Sequence, residues 1–219
     1  MGAPTVPIET FPALAAVPQV RHAFTGRVPG LDVQVDRGLA LQRLDEHHAA
    51  ARRALGLAEK SFVVGEQVHG REVAVVHAGS ALPVPGVDGL ITADAAVCLG
   101  IYVADCCAVY LVDPERRVVA LLHSGRRGSE LGITAAAIAR MRAEFGCDPA
   151  RMIAQLGPCI RPPNYEVDFA ALIRAQCLEA GVREIHDCAT CTASHPERYY
   201  SYRAERGKTG RMLALLALG

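Results

Sequence analysis

Two residues able to do chemistry close two apolar runs. Ala104-Asp105-Cys106-Cys107 ends the run Leu99–Val103, and His123-Ser124-Gly125-Arg126-Arg127-Gly128 ends Val118–Leu122. Read as neighbouring strands, these runs bring a thiol and an imidazole to matching ends. A third donor, His69, lies in Glu66-Gln67-Val68-His69-Gly70 after another apolar strand. Zinc binds Cys at about 2.3 Å and His at about 2.0–2.1 Å, and a catalytic zinc keeps three protein ligands and one open position. His69, Cys106 and His123 match that count. Each also has a plainer reading: Cys106 as a small buried apolar residue, either histidine as a hydrogen-bonded strand-end residue.

Asp105 stands beside Cys106, where it can orient a ligand or substrate hydroxyl, or simply form the turn at a strand end. The loop Ser124–Gly128 joins a strand to a helix. Gly125 and Gly128 let backbone N–H groups approach a ligand, and Arg127 with the helix N-terminus favours an anion. We assign substrate or phosphate contact to Arg27 and Arg127. A denser group, His186-x-Cys188-x-x-Cys191-x-x-x-His195, is too short for a finger-like four-ligand site, so Cys188 and Cys191 read as two unrelated thiols.

The elements that must position these residues follow from periodicity. Val20–Phe24 reads as a strand, and the spacing of Leu41, Leu44, His48, Ala51 and Leu55 predicts a helix from Gly38 to Leu55. Strands are expected at Ser61–Gly65, Glu72–His77, Gly89–Thr92, Cys98–Ala104, Val109–Asp113 and Val118–His123, the last two joined as a hairpin through Asp113-Pro114-Glu115-Arg116. A helix carries Leu131, Thr134, Ile138, Met141 and Phe145 on one face, capped by Ser129 and ended by Gly146. Met152–Leu156 is a strand. Asp168 caps a helix striped by Phe169, Leu172, Ile173, Gln176, Cys177 and Ala180, ended by Gly181. Arg211–Leu218 is a strand by context. Strands in hairpins with interleaved helices on one side make the chain α+β, with mixed, largely antiparallel sheets. Residues 1–19 read as an N-terminal extension and 20–219 as a single catalytic domain.

Composition narrows the function. Of 219 residues, 51% are apolar and 21% charged, and there is no Trp, so the core must be aliphatic. Lys+Arg and Asp+Glu balance at 23 each, which gives no overall pull toward nucleic acid or an anionic membrane. Met1–Gln19 has four prolines and no basic segment leading into an apolar core, so neither a secretory signal nor a presequence is expected. No stretch reaches the roughly 18 apolar residues of a membrane helix. A cytoplasmic location, with all eight cysteines reduced, is the expectation.

Several of these motifs resemble a family when taken in order. They are Gln67-Val68-His69-Gly70, Asp88-Gly89-Leu90-Ile91-Thr92, Ala104-Asp105-Cys106, His123 through Gly128, Leu156-Gly157-Pro158-Cys159-Ile160, Tyr165-Glu166-Val167, Cys191-Thr192 and Tyr200-Ser201-Tyr202-Arg203. From about Val20 onward the chain is similar to the laccase-domain, polyphenol-oxidase-like family of YfiH-type purine nucleoside phosphorylases. The resemblance implies the fold shared with the cytotoxic necrotizing factor catalytic domain, and a metal site on His69, Cys106 and His123. It implies zinc-dependent phosphorolysis of adenosine, inosine, guanosine and methylthioadenosine, adenosine deamination, and, by other labels of the family, copper-dependent phenol oxidation and peptidoglycan editing. Purine nucleosides and phosphate are the partners so implied. The chain departs from the family at Arg126, usually Trp, and at Ala108, usually Pro, and Cys107 and Cys188 are extra thiols. Two other chemistries stay open. Cys106 as nucleophile with His123 as base would make a metal-free cysteine hydrolase or amidase. Copper is the less expected metal, since a multicopper oxidase needs many histidines and this chain has eight.

Overall fold

Met212–Leu218, the last strand, explains the architecture, because every one of its residues is buried. Met212, Ala214, Leu216 and Leu218 face one apolar cluster, and Leu213, Leu215 and Ala217 face another. A strand covered on both sides needs no polar alternation. In the computed structural model, which describes residues 5–219, this strand lies at the centre of the first of two facing sheets.

The elements in chain order are β1 (Ile8–Glu9), α1 (Pro12–Ala15), β2 (Val20–Thr25), α2 (Arg37–Ala54), β3 (Ser61–Val64), β4 (Val73–Val75), β5 (Gly89–Thr92), β6 (Val97–Val103), β7 (Cys107–Asp113), β8 (Val118–Ser124), α3 (Arg126–Glu130), α4 (Ile133–Phe145), β9 (Ile153–Leu156), α5 (Phe169–Glu179), β10 (Glu184–Asp187) and β11 (Met212–Leu218). The first sheet runs β1-β2-β11-β6-β3 and the second β10-β9-β7-β8-β5-β4. Pairing is antiparallel except for β3–β6, β4–β5 and β9–β10. The fold is therefore α+β, with mixed and largely antiparallel sheets.

Strand periodicity distributes the core. Ala108, Tyr110 and Val112 of β7 and Val119 and Leu121 of β8 point between the sheets, while Val109, Leu111, Ala120 and Leu122 point to α4 and α5. Ala51 of α2 packs with Leu213, Leu215 and Ala217 on the far side of the first sheet. Helices thus cover both outer faces, not one side as the sequence suggested. The first sheet's outer face is apolar, and only a helix on that side keeps it from water. The segment read as an extension pairs β1 with β2 and buries Phe11, Leu14 and Val17 in the inter-sheet core.

Two expectations are corrected. The runs Leu99–Val103 and Val118–Leu122 are not neighbours in one sheet: β6 belongs to the first and β8 to the second, and the strand paired with β8 is β7. The chain crosses between sheets at Ala104–Cys106, where Asp105 takes φ 80°. Ser129 does not cap the long helix. It lies inside α3, where its hydroxyl donates to the Gly125 carbonyl at 2.8 Å, and Gly132 at φ 81° separates α3 from α4. Leu131, placed on the buried stripe, is 41% exposed in that break. Asp168 and Gly146 act as expected: the Asp168 side chain accepts from the Ala171 N–H, and Gly146 takes φ 65°.

Candidate metal centre

Strand register places the first two donors. β7 and β8 pair with Ala108 opposite His123 and Cys107 opposite Ser124. One step further, Cys106 meets Gly125 at the open end of the pair. A Cβ on Gly125 would lie 2.5 Å from Cys106 Sγ, so only glycine leaves room for the sulfur.

His69 arrives on a loop held from two directions. Beyond Val64, β3 no longer covers β6, and the Gln67 side chain takes its place. Its Nε2 donates to the Tyr102 carbonyl at 2.6 Å and its Oε1 accepts from the Tyr102 N–H at 2.9 Å. Gln67 and His69 both sit at positive φ, 60° and 59°, a conformation that non-glycine residues keep only when their surroundings impose it. Asp88 imposes it. Its buried carboxylate accepts from the N–H groups of Val68, His69 and Gly70 at 3.1, 2.9 and 2.7 Å.

The same carboxylate accepts from His123 Nδ1 at 2.7 Å. That bond assigns the Nδ1 hydrogen and leaves Nε2 as the ring nitrogen that can bind a metal once its own proton is lost. The His69 and His123 rings meet edge to face, with centroids 4.7 Å apart. One ligand atom each from His69, Cys106 and His123 all lie within 4.8 Å of one another, and among the described residues no other group of three such donors converges in this way. Two imidazoles and one thiol, with a buried carboxylate behind one imidazole, form a donor set that zinc accepts.

The electrostatics run the same way. Burial alone would push the Cys106 thiol up, but the His123 charge and hydrogen bonds from both histidines outweigh it and bring it down to about 6. Burial opposes a charged His123, yet the Cys106 thiolate and Asp88 hold it up at about 9. Burial would also raise Asp88, and its bonds to His123, Gly70 and His69 keep it below the usual carboxylate range. The pocket is arranged to hold an anionic sulfur.

These donors open into a cleft of about 1220 Å³, where aromatic rings (Tyr102, Tyr165, Phe169, Tyr202) share the walls with seven Arg and Lys side chains and three carboxylates. Arg127 is exposed on this wall, on α3. Arg127 stands on a single short turn and not on the long helix expected, so no long-helix dipole reinforces an anion beside it. Arg27 lies outside the lining. Its guanidinium is held by Glu205 at 2.7 Å and the Tyr199 carbonyl, over the Tyr200 ring at 4.5 Å. Asp105 lines the cleft, but its Oδ1 accepts from the Thr192 hydroxyl and its Oδ2 from the Arg203 N–H, both at 2.7 Å. In the Cys188–Cys191 segment, His186 pairs with Glu184 at 3.1 Å, and Cys191 takes a bond from Asn164 at 3.4 Å.

Sequence reasoning missed Asp88 as a site residue. Its signal was present: an acid directly preceding Gly89–Thr92, a strand buried throughout, needs partners of its own. It also missed Arg37 on the cleft wall, which lies in no motif, whereas Arg203, Arg206 and Arg211 belong to an arginine cluster visible in the sequence.

The chain matches the family described as multi-copper polyphenol oxidoreductase laccase over residues 22–170 and 166–219. It is 35% identical to a purine nucleoside phosphorylase of Deinococcus radiodurans, across 100% of this chain and 95% of that protein. It is also 35% identical to purine nucleoside phosphorylase SCO2081 of Streptomyces coelicolor, across 74% of this chain and 77% of that one. Among solved structures, the crystal structure of YlmD from Geobacillus stearothermophilus superposes with a TM-score of 0.82 at 26% identity, over 95% of this chain and 94% of that one.

Proposed function

The chain belongs to the family described as multi-copper polyphenol oxidoreductase laccase, and within that family we propose that it is a zinc-dependent purine nucleoside phosphorylase. The observation that carries the reading is the convergence of His69, Cys106 and His123 in a cleft walled by cations and aromatic rings. The names borne by the Deinococcus and Streptomyces relatives support it. Only His69 and His123, of eight histidines, line the cleft, which speaks against a four-copper centre.

In this reading His69, Cys106 and His123 hold the metal, and Asp88 fixes the His123 tautomer and the His69 backbone. Zinc bound there supplies a Lewis acid facing the cleft. The aromatic walls take the purine face, and cleft cations, Arg127 among them, hold phosphate against the sugar. A phosphate oxygen forms the new bond to the anomeric carbon as the glycosidic bond breaks. The bond's electron pair leaves on the purine, which takes up the proton that hydrogen phosphate gives up, giving a free base and a ribose 1-phosphate. Asp105 acts as a positioning residue, because both its oxygens already accept hydrogen bonds from Thr192 and Arg203. Adenosine, inosine, guanosine and methylthioadenosine are the substrates we infer, with adenosine deamination in the same cleft.

A second reading rests on one specific observation, the relay Cys106, His123, Asp88 with a 2.7 Å bond between the last two. This is also the geometry of a cysteine nucleophile with its base and orienting acid. Metal content of protein purified without added metal, and adenosine turnover with and without phosphate and chelator, separate the two. For the phosphorylase, Cys106→Ala removes both metal and turnover, and chelation stops the wild type. Full activity after complete chelation overturns zinc chemistry and favours the nucleophile.

A further inference from the structure

The cleft's cations differ in how they are neutralised. Arg126 pairs with Glu130 at 2.9 Å, and Arg203 with Glu166 at 3.0 Å. Arg27, Arg161 and Arg198, outside the cleft, also have carboxylate partners. Arg37, Arg127, Arg206, Lys208 and Arg211 line the cleft and form no such pair with any described residue, and of these Arg37 and Arg211 come from elements docked on one another.

The two are brought together by the packing of α2 on β11. Arg37 begins α2, and Leu44 and His48 continue its face at seven and eleven residues, about two and three turns on. His48 Nε2 donates to the Arg211 carbonyl at 3.1 Å, which docks that face at the start of β11. Arg211 is then oriented by its own chain: Nη1 donates to the carbonyls of Thr209 and Gly210, both at 2.8 Å. Nε and Nη2, the parallel pair of donors that fits an oxyanion edge, have no acceptor among the described residues. The Tyr202 ring lies 5.9 Å from this guanidinium.

We propose that Arg37 and Arg211 form an oxyanion subsite of the cleft, built for a phosphate group facing the His69–Cys106–His123 centre. Both guanidiniums line one cleft, Arg211 half-buried, and neither has a carboxylate within ion-pair distance among the described residues. Burial first, and then the charge of Arg37, push Arg211 below the usual guanidinium range, against the opposite pull of Cys106, Tyr202 and Asp105. Lys208, on the same wall, adds to the positive field. The phosphate comes either as the free co-substrate of phosphorolysis or as the 5′-phosphate carried by a nucleotide. Its use in catalysis rests on the phosphorylase reading, whereas its binding does not.

The test is titration calorimetry of the whole, zinc-supplemented protein with inorganic phosphate, and separately with adenosine 5′-monophosphate against adenosine. Arg37 is exposed, so Arg37→Gln keeps the fold. Arg211→Lys retains charge while losing the fork, and far-ultraviolet dichroism checks that it folds. Each variant should weaken phosphate or monophosphate binding about tenfold, with adenosine binding unchanged. A raised KM for phosphate at constant kcat identifies the free co-substrate. Weakened monophosphate binding with an unchanged phosphate KM identifies the carried phosphate. Wild-type protein that binds neither anion, or folded variants that bind both as the wild type does, overturns the subsite. Anion binding that depends on Arg37 and Arg211, in a protein with no phosphorolysis, keeps the subsite and removes the phosphorylase.

Discussion

Asp88 concentrates more of the site's order than any of the three donors. It is fully buried and carries four acceptor contacts, three to the His69 loop and one to His123. Asp88→Asn keeps the shape, but the amide nitrogen cannot accept, so at least one N–H of that set is orphaned. We expect zinc affinity to fall about 10- to 100-fold in competition with a chromogenic chelator, the range for such outer partners of a metal ligand. Wild-type affinity in Asp88→Asn would show that the loop positions itself. Gly125→Ala acts by contact instead. Its methyl would meet Cys106 Sγ at 2.5 Å, so the sulfur must move away from the histidines. This variant should lose metal retention while its thermal midpoint falls by an amount matching about 1–3 kcal/mol of overpacking.

At the scale of elements, β2 and α2 each carry a buried histidine that makes the fold acid-sensitive. Burial brings His22 and His48 down to about 4. His22 Nε2 also accepts the Phe11 N–H at 2.8 Å, so the lone pair a proton would need is in use. Both groups bind protons more tightly unfolded, near 6.5, than folded. Their contribution to stability is therefore whole above pH 6.5, declines as pH falls, and is gone below about 4, of order 3 kcal/mol for each. Urea midpoints at pH 7 and pH 4.5 should differ clearly in the wild type and less in His22→Gln. Equal midpoints at both pH values would contradict this account. The break between α3 and α4 makes a separate expectation. Gly132 sits at φ 81° with open space around it, so Gly132→Ala meets backbone strain alone, about 1–2 kcal/mol. The periodic stripe Thr134, Ile138 and Met141 made α4 legible, and Gly146 marked its end. The break at Gly132 was not legible, because Leu131 continues the apolar period while pointing into the gap.

Over the whole molecule, burial governs which thiols react. All eight cysteines are free; Cys106, Cys188 and Cys191 are half-buried and the other five buried. In native protein without metal, three thiols should be reachable by a disulfide reagent, Cys106 first because it ionises near 6 and Cys188 last because burial pushes its thiol up. Zinc should protect Cys106 and leave two. Denaturation should release eight, and a shortfall would indicate a disulfide that the fold does not contain. Strand types, helix stripes, caps at Asp168 and Gly146, and the donors His69, Cys106 and His123 could be read from the chain, because periodicity and ligand chemistry are local properties. Which sheet each strand joined, that helices cover both faces, that Asp88 stands behind two ligands, and that Arg37 and Arg211, 174 positions apart, line one cleft were decided only in three dimensions. Those facts depend on which apolar faces bury one another, and a fully apolar strand such as β11 carries no mark on its sequence of what lies on either side.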